Sequence, residues 1–499
     1  MTISVLARRD ELKVEHTGLY IDGRWREASD GGVWTHVHPA TNEEITTFAI
    51  GSAADVDAAV AAARRAFDEG PWPRMPARER IRAVQRIAEL IREHREELAA
   101  LQTLGNAMPI TMSTSYGVSG DIAADLFDHF AGWIDKLTGR TYPIYTEQDV
   151  QFLSLREPVG VVAAIIPWNA PLLQFANKVA PALAAGCTVV IKPSEYAALA
   201  PLRLAQLIDE AGLPPGVFNC VPGPGTPTGE ALISHPGVDK ISFTGSRAVG
   251  KHIQAVASRT LKRVTLELGG KSAALVFERA DVARAAAAVA GRVFMGLSGQ
   301  VCSSQTRAVV QRSVHDEFVE AVLAEAGKVR FGDPFDPTTT SAPMINPIQR
   351  DKVLGYVRTA EEEGARRLVG GETPGGELAG GNWVTPAVFD EVDNRMTLAQ
   401  EEVFGPVLAV IPVDDEEEAI RVANDSSYGL SAGVYTEDVA QALRVSRALR
   451  TGTVGVNTYA FLPNAPFGGY KESGFGREGG IEGIESMLET KTVMIDLSR

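Results

Sequence analysis

The stretch Pro158-Val159-Gly160-Val161-Val162-Ala163-Ala164-Ile165-Ile166-Pro167-Trp168-Asn169 decides the fold. Its apolar run over 158–166 is uninterrupted, so the strand it predicts needs cover on both faces, as in a parallel sheet packed between helices. Helical spacing follows over 171–185, then an apolar strand at 188–191. The alternation continues with a helix over 202–211, stopped by Gly212 and Pro214, and a strand at 217–221. A helix over 229–234, a strand at 240–243, a helix over 249–258 and a strand at 264–267 complete it. Strands alternating with helices in this way predict an α/β fold with a doubly wound parallel sheet, whose ligands lie at the strand carboxyl ends.

Upstream, Ser52-Ala53-Ala54-Asp55 opens a helix with Val56, Val60, Ala63 and Phe67 on one face. A second carries Ile81, Val84, Ala88 and Ile91. Downstream, 271–464 reads as a second α/β region, with strands at 273–277, 308–311 and 407–411 and helices over 282–294, 314–328 and 416–424. The Gly-rich 370–381 reads as a surface hairpin. Segments 149–155 and 490–497 read as β segments without a local partner, hence as strands for oligomerisation.

With 499 residues, 45% hydrophobic and 22% charged, the chain is enzyme-sized and globular in composition. A formal net charge of −15 excludes a general polyanion partner such as nucleic acid. The longest apolar stretch, 159–166, falls far short of the ~20 residues of a membrane span. Met1 to Val14 carries Arg8, Arg9, Asp10 and Glu11 and no apolar core segment, so no secretory signal is read there. Three cysteines, with no CxxC motif and no Cys/His cluster, point to a reduced, cytoplasmic, soluble protein. His36 and His38 form the only close histidine pair and have no third ligand nearby, so no metal is expected.

Cys187 and Cys220 lie in predicted strands, where a thiol is a small inert hydrophobe. Cys302, in Ser298-Gly299-Gln300-Val301-Cys302-Ser303-Ser304, follows small and polar residues that suit an exposed turn. A free thiol has a pKa of about 8.5 and needs help from its surroundings to act. Other polar motifs fall at strand ends. Asn169 either closes a turn or supplies an amide N–H to an oxyanion. In Lys192-Pro193-Ser194-Glu195, the Lys and Glu either sit on a surface turn or meet the ribose hydroxyls of a dinucleotide. A carboxylate there repels a ribose phosphate and favours NAD over NADP. Gly223-Pro224-Gly225 and Gly245-Ser246 each enter a helix, where backbone N–H groups can meet phosphate. Glu267, before Gly269-Gly270, is a solvated cap or, facing an apolar pocket, a general base. The run 245–251 approaches a phosphate loop, but His252 stands where a Mg²⁺-binding Ser or Thr is required.

Together these motifs resemble the NAD(P)-dependent aldehyde dehydrogenase superfamily over essentially the whole chain. The resemblance rests on Pro167-Trp168-Asn169, Lys192-Pro193-Ser194-Glu195, Phe243-Thr244-Gly245-Ser246, Glu267-Leu268-Gly269-Gly270-Lys271 and Gly299-Gln300-Val301-Cys302. It extends through Glu401-Glu402-Val403-Phe404-Gly405-Pro406 and Pro466-Phe467-Gly468-Gly469-Tyr470-Lys471-Glu472-Ser473-Gly474. It implies a cofactor domain at 1–138 and 158–268, a catalytic domain at 269–470, and an oligomerisation arm at 139–157 and 484–499 of a homodimer or homotetramer. It makes Cys302 the nucleophile, Glu267 the general base, and Asn169 with the Cys302 N–H the oxyanion hole. Ile166, Trp168, Lys192, Glu195, Gly225, Gly245, Ser246 and Leu268 would border NAD, with Gln349, Glu402 and Phe404 at its nicotinamide end. A glutamate at 267 implies release of the acyl group to water rather than to coenzyme A.

The resemblance lines the substrate tunnel with Ala170, Gln174, Asn177, Met295, Leu297, Val301, Ser303, Tyr459 and Phe461. Small or polar Ala170 and Asn177 suggest a wide entrance for medium or large apolar aldehydes, aromatic or terpenoid, unless other side chains refill the space. No arginine stands among these residues, which disfavours an aldehyde acid. Nothing in the sequence fixes a cation beside Cys302, so activation on cofactor or substrate binding is expected. Two other classes remain: an NTP-binding protein using 245–251, and a non-catalytic relative that keeps the fold.

Overall fold

The strands Phe218–Cys220, Thr188–Lys192, Val161–Ile165, Lys240–Thr244 and Arg263–Glu267 lie side by side and parallel. This computed structural model describes residue 12 and residues 14–498; apart from Leu12 and Val14, the segment 1–14 in which no secretory signal is read lies outside them. Along Val161–Ile165 the side chains alternate between two cores, as a strand covered on both sides must. Val161, Ala163 and Ile165 pack with the helices Ala53–Asp68 and Arg247–Ala257, whereas Val162 and Ala164 pack with Pro171–Ala185 and Leu199–Glu210. Burying one such Val, Leu or Phe contributes about 1.5–3 kcal/mol.

The apolar run is nevertheless shared between two sheets. Pro158 ends the strand Val150–Pro158, and the parallel strand starts at Val161. Gly160 turns the chain between them at φ +129°, where a Cβ would lie 1.8 Å from Asp239 Oδ2. From the central strand Val161–Ile165 the chain winds outward one way, then crosses to Lys240–Thr244 on the other side. That switch opens a crevice at the carboxyl ends. Short antiparallel strands escaped the sequence reading: Leu19–Ile21 and Arg24–Arg26 at one edge, Gly474–Phe475 at the other. The last brings a late segment against Glu267, which pairs with Gly474.

The second sheet runs Arg366–Val369, Ala387–Asp390, Val407–Val413, Arg307–Gln311, Ala273–Val276, Ser431–Tyr435, Thr453–Val456, parallel except for its first pair. The three strands expected at 273–277, 308–311 and 407–411 form its middle. The Gly-rich 370–381 joins the antiparallel pair, but it is not wholly superficial. A Cβ on Gly381 would lie 2.2 Å from the Ala40 carbonyl, and Trp383 is buried just beyond.

The two segments expected to lack a local partner find it in each other: Val150–Pro158 and Leu488–Asp496 pair antiparallel along their full length, with Thr141–Tyr142 on the far side. Met494, Ile495 and Leu497 are exposed along the terminal strand and beyond it. Among the described residues no helix is long and apolar enough to cross a membrane. His36 and His38 are buried, and burial lowers them to about 4 and about 3, so both are neutral. His315, Asp390 and Glu391 approach one another, but Asp390 is already paired with His315 and Arg366.

Candidate active site

Cys302 sits on a loop whose conformation is forced. After the helix Val282–Phe294 the chain passes through left-handed Gly296, Ser298 and Gly299. At Gly299, with φ +71°, a Cβ would lie 2.1 Å from the Gly405 carbonyl, so only glycine fits. Buried Gln300 holds the loop from inside: its Nε2 donates to the carbonyls of Leu297 (2.9 Å) and Pro343 (3.0 Å), and its Oε1 accepts from the Ile345 N–H (3.0 Å). Cys302 is half-buried rather than exposed, and it opens onto a cavity of about 390 Å³. Burial, then the charges of Glu402 and Glu267, push its thiol up to about 12; the N–H groups of Ser303 and Cys302 itself oppose them. At rest it is a thiol. Cys187 and Cys220 are fully buried and burial raises both thiols.

Asn169 lines the same cavity. The Asn106 amide fixes its backbone by donating to the carbonyls of Trp168 (3.0 Å) and Asn169 (3.4 Å). Its own Nδ2 donates to the Gln300 carbonyl at 2.9 Å. An amide nitrogen has two hydrogens, so one remains for a ligand. Of the other expected tunnel residues, Ala170, Gln174, Asn177, Leu297, Val301, Ser303, Tyr459 and Phe461 line the cavity, and Met295 is not among its walls.

Glu267 stands at the carboxyl end of Arg263–Glu267 and is not among the residues that line the cavity. It is 2% exposed, and neither carboxylate oxygen has a hydrogen-bond partner. Burial first, then the Glu478 charge, raises its pKa well above the usual carboxylate range; Lys178 and Arg477 pull the other way. Buried Lys178 pairs with Glu478 and donates to Thr244 Oγ1 at 2.8 Å. Sequence reasoning missed this pair, because Lys178 sits inside an apolar helix and its partner is 300 positions away.

The expected cofactor residues fall into two groups. Trp168, Gln349, Glu402 and Phe404 form one group, in which the Glu402 charge acts on Cys302. The Trp168 and Phe404 rings meet edge to face at 5.5 Å, and Gln349 Nε2 donates to the carbonyls of Val403 (3.1 Å) and Phe404 (2.8 Å). Glu402 accepts from the Gly270 N–H at 3.0 Å. Lys192, Glu195, Gly225 and Ser246 lie at or just beyond the carboxyl ends of the parallel strands. Lys192 Nζ donates to the carbonyls of Pro193 (2.9 Å) and Gly223 (2.5 Å), and burial lowers it to about 8. Glu195 is half-buried at the end of the strand, Gly225 has open space where a side chain would be, and Ser246 caps the helix Arg247–Ala257. A helix N-terminus, an acidic group and an open glycine turn at the strand ends form a donor set that fits a dinucleotide.

Three further expected residues also make contacts within the fold. The Gly245 N–H donates to the Glu267 carbonyl at 3.0 Å. Ile166 donates its N–H to the Lys192 carbonyl at 3.2 Å, and Leu268 packs where a Gly250 side chain would be. The phosphate-loop reading of 245–251 fails outright. The helix already begins at Arg247, leaving no loop to cradle a triphosphate, and Lys251 is paired with Glu472 at 2.7 Å.

The expectation that no arginine lines the tunnel also fails. Arg292, from the last turn of Val282–Phe294, reaches the cavity beside Ser303 and Tyr459. At helical spacing it reads as an ordinary charged residue of a polar face, and only the tertiary fold turns it inward.

The family model of the aldehyde dehydrogenase family matches residues 25–493. The chain belongs to the aldehyde dehydrogenase family. With membership come the enzyme class, NAD-dependent aldehyde dehydrogenase, and the cofactor, NAD. Among its relatives, the mitochondrial aldehyde dehydrogenase of Homo sapiens is 44% identical over 99% of this chain and 95% of its own. Aldehyde dehydrogenase 1 of Tanacetum cinerariifolium is 43% identical over 96% and 95%. Two solved structures are similar throughout. Betaine aldehyde dehydrogenase of Staphylococcus aureus in complex with NAD+ has a TM-score of 0.96 and 39% identity, over 99% of this chain and 98% of that one. An NAD-dependent aldehyde dehydrogenase from Sinorhizobium meliloti has a TM-score of 0.95 and 40% identity, over 100% and 98%.

Proposed function

We propose that this aldehyde dehydrogenase oxidises an aldehyde to the carboxylic acid through a covalent adduct on Cys302, and that water activated by Glu267 releases the product. The observation that carries this reading is the opening of Cys302 and the Asn169 amide onto one cavity. The Cys302 thiol, raised to about 12, must lose its proton on ligand binding, and passes it to water through the cavity onto which it opens. The sulfur attacks the carbonyl carbon, and the oxygen takes up the charge facing Asn169 Nδ2 and the Cys302 N–H. Donors placed for that developing charge are worth about 3–4 kcal/mol each. Bound NAD supplies the acceptor for the hydride that leaves this adduct. Cys302 then carries a thioester. Glu267, after a side-chain rotation towards the cavity, takes a proton from water as the water oxygen bonds to the acyl carbon and the sulfur departs. The sum is aldehyde, water and NAD+ to acid, NADH and protons.

Glu195 would face the adenine ribose hydroxyls, where its charge disfavours NADP, with Lys192, Gly225 and Ser246 beside it. Gln349, Glu402 and Phe404 would hold the nicotinamide end, with Trp168 packed on Phe404. The cofactor unit would comprise 1–138 and 158–268, the catalytic unit 269–470, and the arm 139–157 and 484–499. The exposed Met494 and Ile495 on the arm support association into a homodimer or homotetramer, and three free cysteines fit a cytoplasmic setting. A cavity of about 390 Å³ with Tyr116, Phe461 and Phe467 in its walls suits a medium or large aldehyde with an apolar body. Betaine aldehyde, named for the Staphylococcus aureus relative, suits it poorly because Arg292 lines the walls.

The test is an aldehyde panel with NAD and NADP in parallel, with Cys302→Ala as control. NADH formation with NAD that vanishes in the control supports the proposal. Equal turnover by the control, or none by wild type on any aldehyde, overturns it.

A further inference from the structure

Among the described residues, Arg292 is the one basic side chain lining the Cys302 cavity, and no acidic residue lines it. Its guanidinium carbon lies 3.8 Å above the Tyr459 ring. Its Nη2 donates to Ser303 Oγ at 3.4 Å, and its buried Nε has no partner. Among the described residues no carboxylate forms an ion pair with it. An arginine in a half-buried wall normally meets a carboxylate, because its planar fork of donors matches that group and because an uncompensated buried charge is costly. Here the fork is oriented and its counter-charge is missing.

Two consequences follow from the stacking. The face of an aromatic ring is where a quaternary ammonium group would bind. On Tyr459 that face is already covered, and by a cation that repels another. An anion meets the opposite situation: a fixed positive charge, a buried free Nε and the Ser303 hydroxyl, on a wall otherwise made of Tyr116, Leu173, Phe461 and Phe467. The position sets the reach as well. Ser303 follows Cys302 directly, so the guanidinium lies within about 10 Å of the Cys302 Cα, given ~3.8 Å between consecutive Cα atoms. That span suits an aldehyde whose acid group is separated from the carbonyl by a few carbons or by one ring.

We propose that Arg292, stacked on Tyr459 and tied to Ser303, is a specificity-determining residue that selects aldehydes carrying a carboxylate and rejects those carrying a quaternary ammonium group. The inference rests on the reading of Cys302 as the nucleophile of this cavity, and it replaces a wholly apolar substrate with one that is apolar in its body and anionic at its end.

The experiment is a charge-matched series on the wild-type enzyme with NAD: butanal, 4-oxobutanoate and 4-(trimethylammonio)butanal. The expected result is a kcat/KM for 4-oxobutanoate at least about tenfold above butanal, carried mainly by KM, as one charged hydrogen-bonded contact supplies. The cationic aldehyde should fall below butanal. The anionic preference should shrink as salt rises. In Arg292→Gln the anionic-to-neutral ratio should approach one, and Arg292→Lys should retain part of it. The wild-type series decides even if a variant does not fold. NADH from butanal with no gain for 4-oxobutanoate overturns the role of Arg292 and leaves the reaction assignment standing. A preference that survives in Arg292→Gln also overturns it. No NADH from any aldehyde, together with no acylation of Cys302, removes the reading beneath it.

Discussion

Replacing Glu267 by Gln removes a carboxylate whose two oxygens are buried and without hydrogen-bond partners, while keeping its size. A general base typically contributes 10²–10⁴ in rate, or about 3–5 kcal/mol of barrier. Turnover of Glu267→Gln should therefore fall by about 10²–10⁴. The pH dependence should change with it. Because burial and Glu478 raise the Glu267 pKa, the base form gains population as pH rises through that value, so wild-type kcat should climb with pH and then level off. The variant should lose that limb. Stability should move the opposite way from activity. Above the ordinary carboxyl pKa the unfolded chain ionises Glu267 while the folded protein holds the proton, so stability is lost as pH rises from the unfolded value to the folded one. Each unit of separation costs about 1.4 kcal/mol, which a neutral Gln recovers. At pH 8 the variant should melt about 1–3 °C higher, with the gain shrinking towards pH 4. The assay is steady-state NADH formation across pH alongside thermal melting. A turnover within about tenfold of wild type would refute the base assignment. A lower Tm at pH 8 would refute the account of Glu267 as an uncompensated buried carboxyl.

Asn169→Ala should lower kcat by about 10²–10³ with little change in Tm, since it removes one oxyanion donor; an equal loss of Tm and activity would mean that Asn169 mainly holds the loop. Gly299→Ala places a methyl group 2.1 Å from the Gly405 carbonyl at φ +71°, so both stability and turnover should drop, as melting and kcat report. Glu195→Gln should raise the NADP-to-NAD ratio of kcat/KM by about tenfold, the scale of one removed repulsion; an unmoved ratio places Glu195 away from the ribose. Iodoacetamide should label Cys302 faster at pH 9 than at pH 6, because its thiol is raised to about 12; equal rates would contradict a resting thiol.

The central sheet was legible because its strands are covered on both faces, and continuous apolar runs between glycines and prolines announce that. The second sheet was legible only in its middle. Ser431–Tyr435 is fully buried but reads Ser-Ala-Gly-Val-Tyr, and Gly433 is there because a Cβ would lie 2.5 Å from Gln305 Nε2. A packing requirement of that kind leaves no periodic signal. The arm's pairing was invisible because Pro158 and Leu488 are joined only through the tertiary fold. Within the candidate site, the residues that the sequence singles out are those of motifs at strand ends. Arg292 and the Lys178–Glu478 pair are not singled out, since each is an ordinary helix or loop residue until the fold turns it inward. Gly245 shows the converse: a glycine in the right motif whose N–H belongs to the sheet.

The most direct test of the account is to catch the acyl group on Cys302. Glu267→Gln enzyme is mixed with aldehyde and NAD, quenched in acid, digested and examined by mass spectrometry. The account predicts the acyl mass on the peptide that carries Cys302, and none on those carrying Cys187 or Cys220. NADH production with Cys302 unmodified, or an acyl group on another residue, would contradict it.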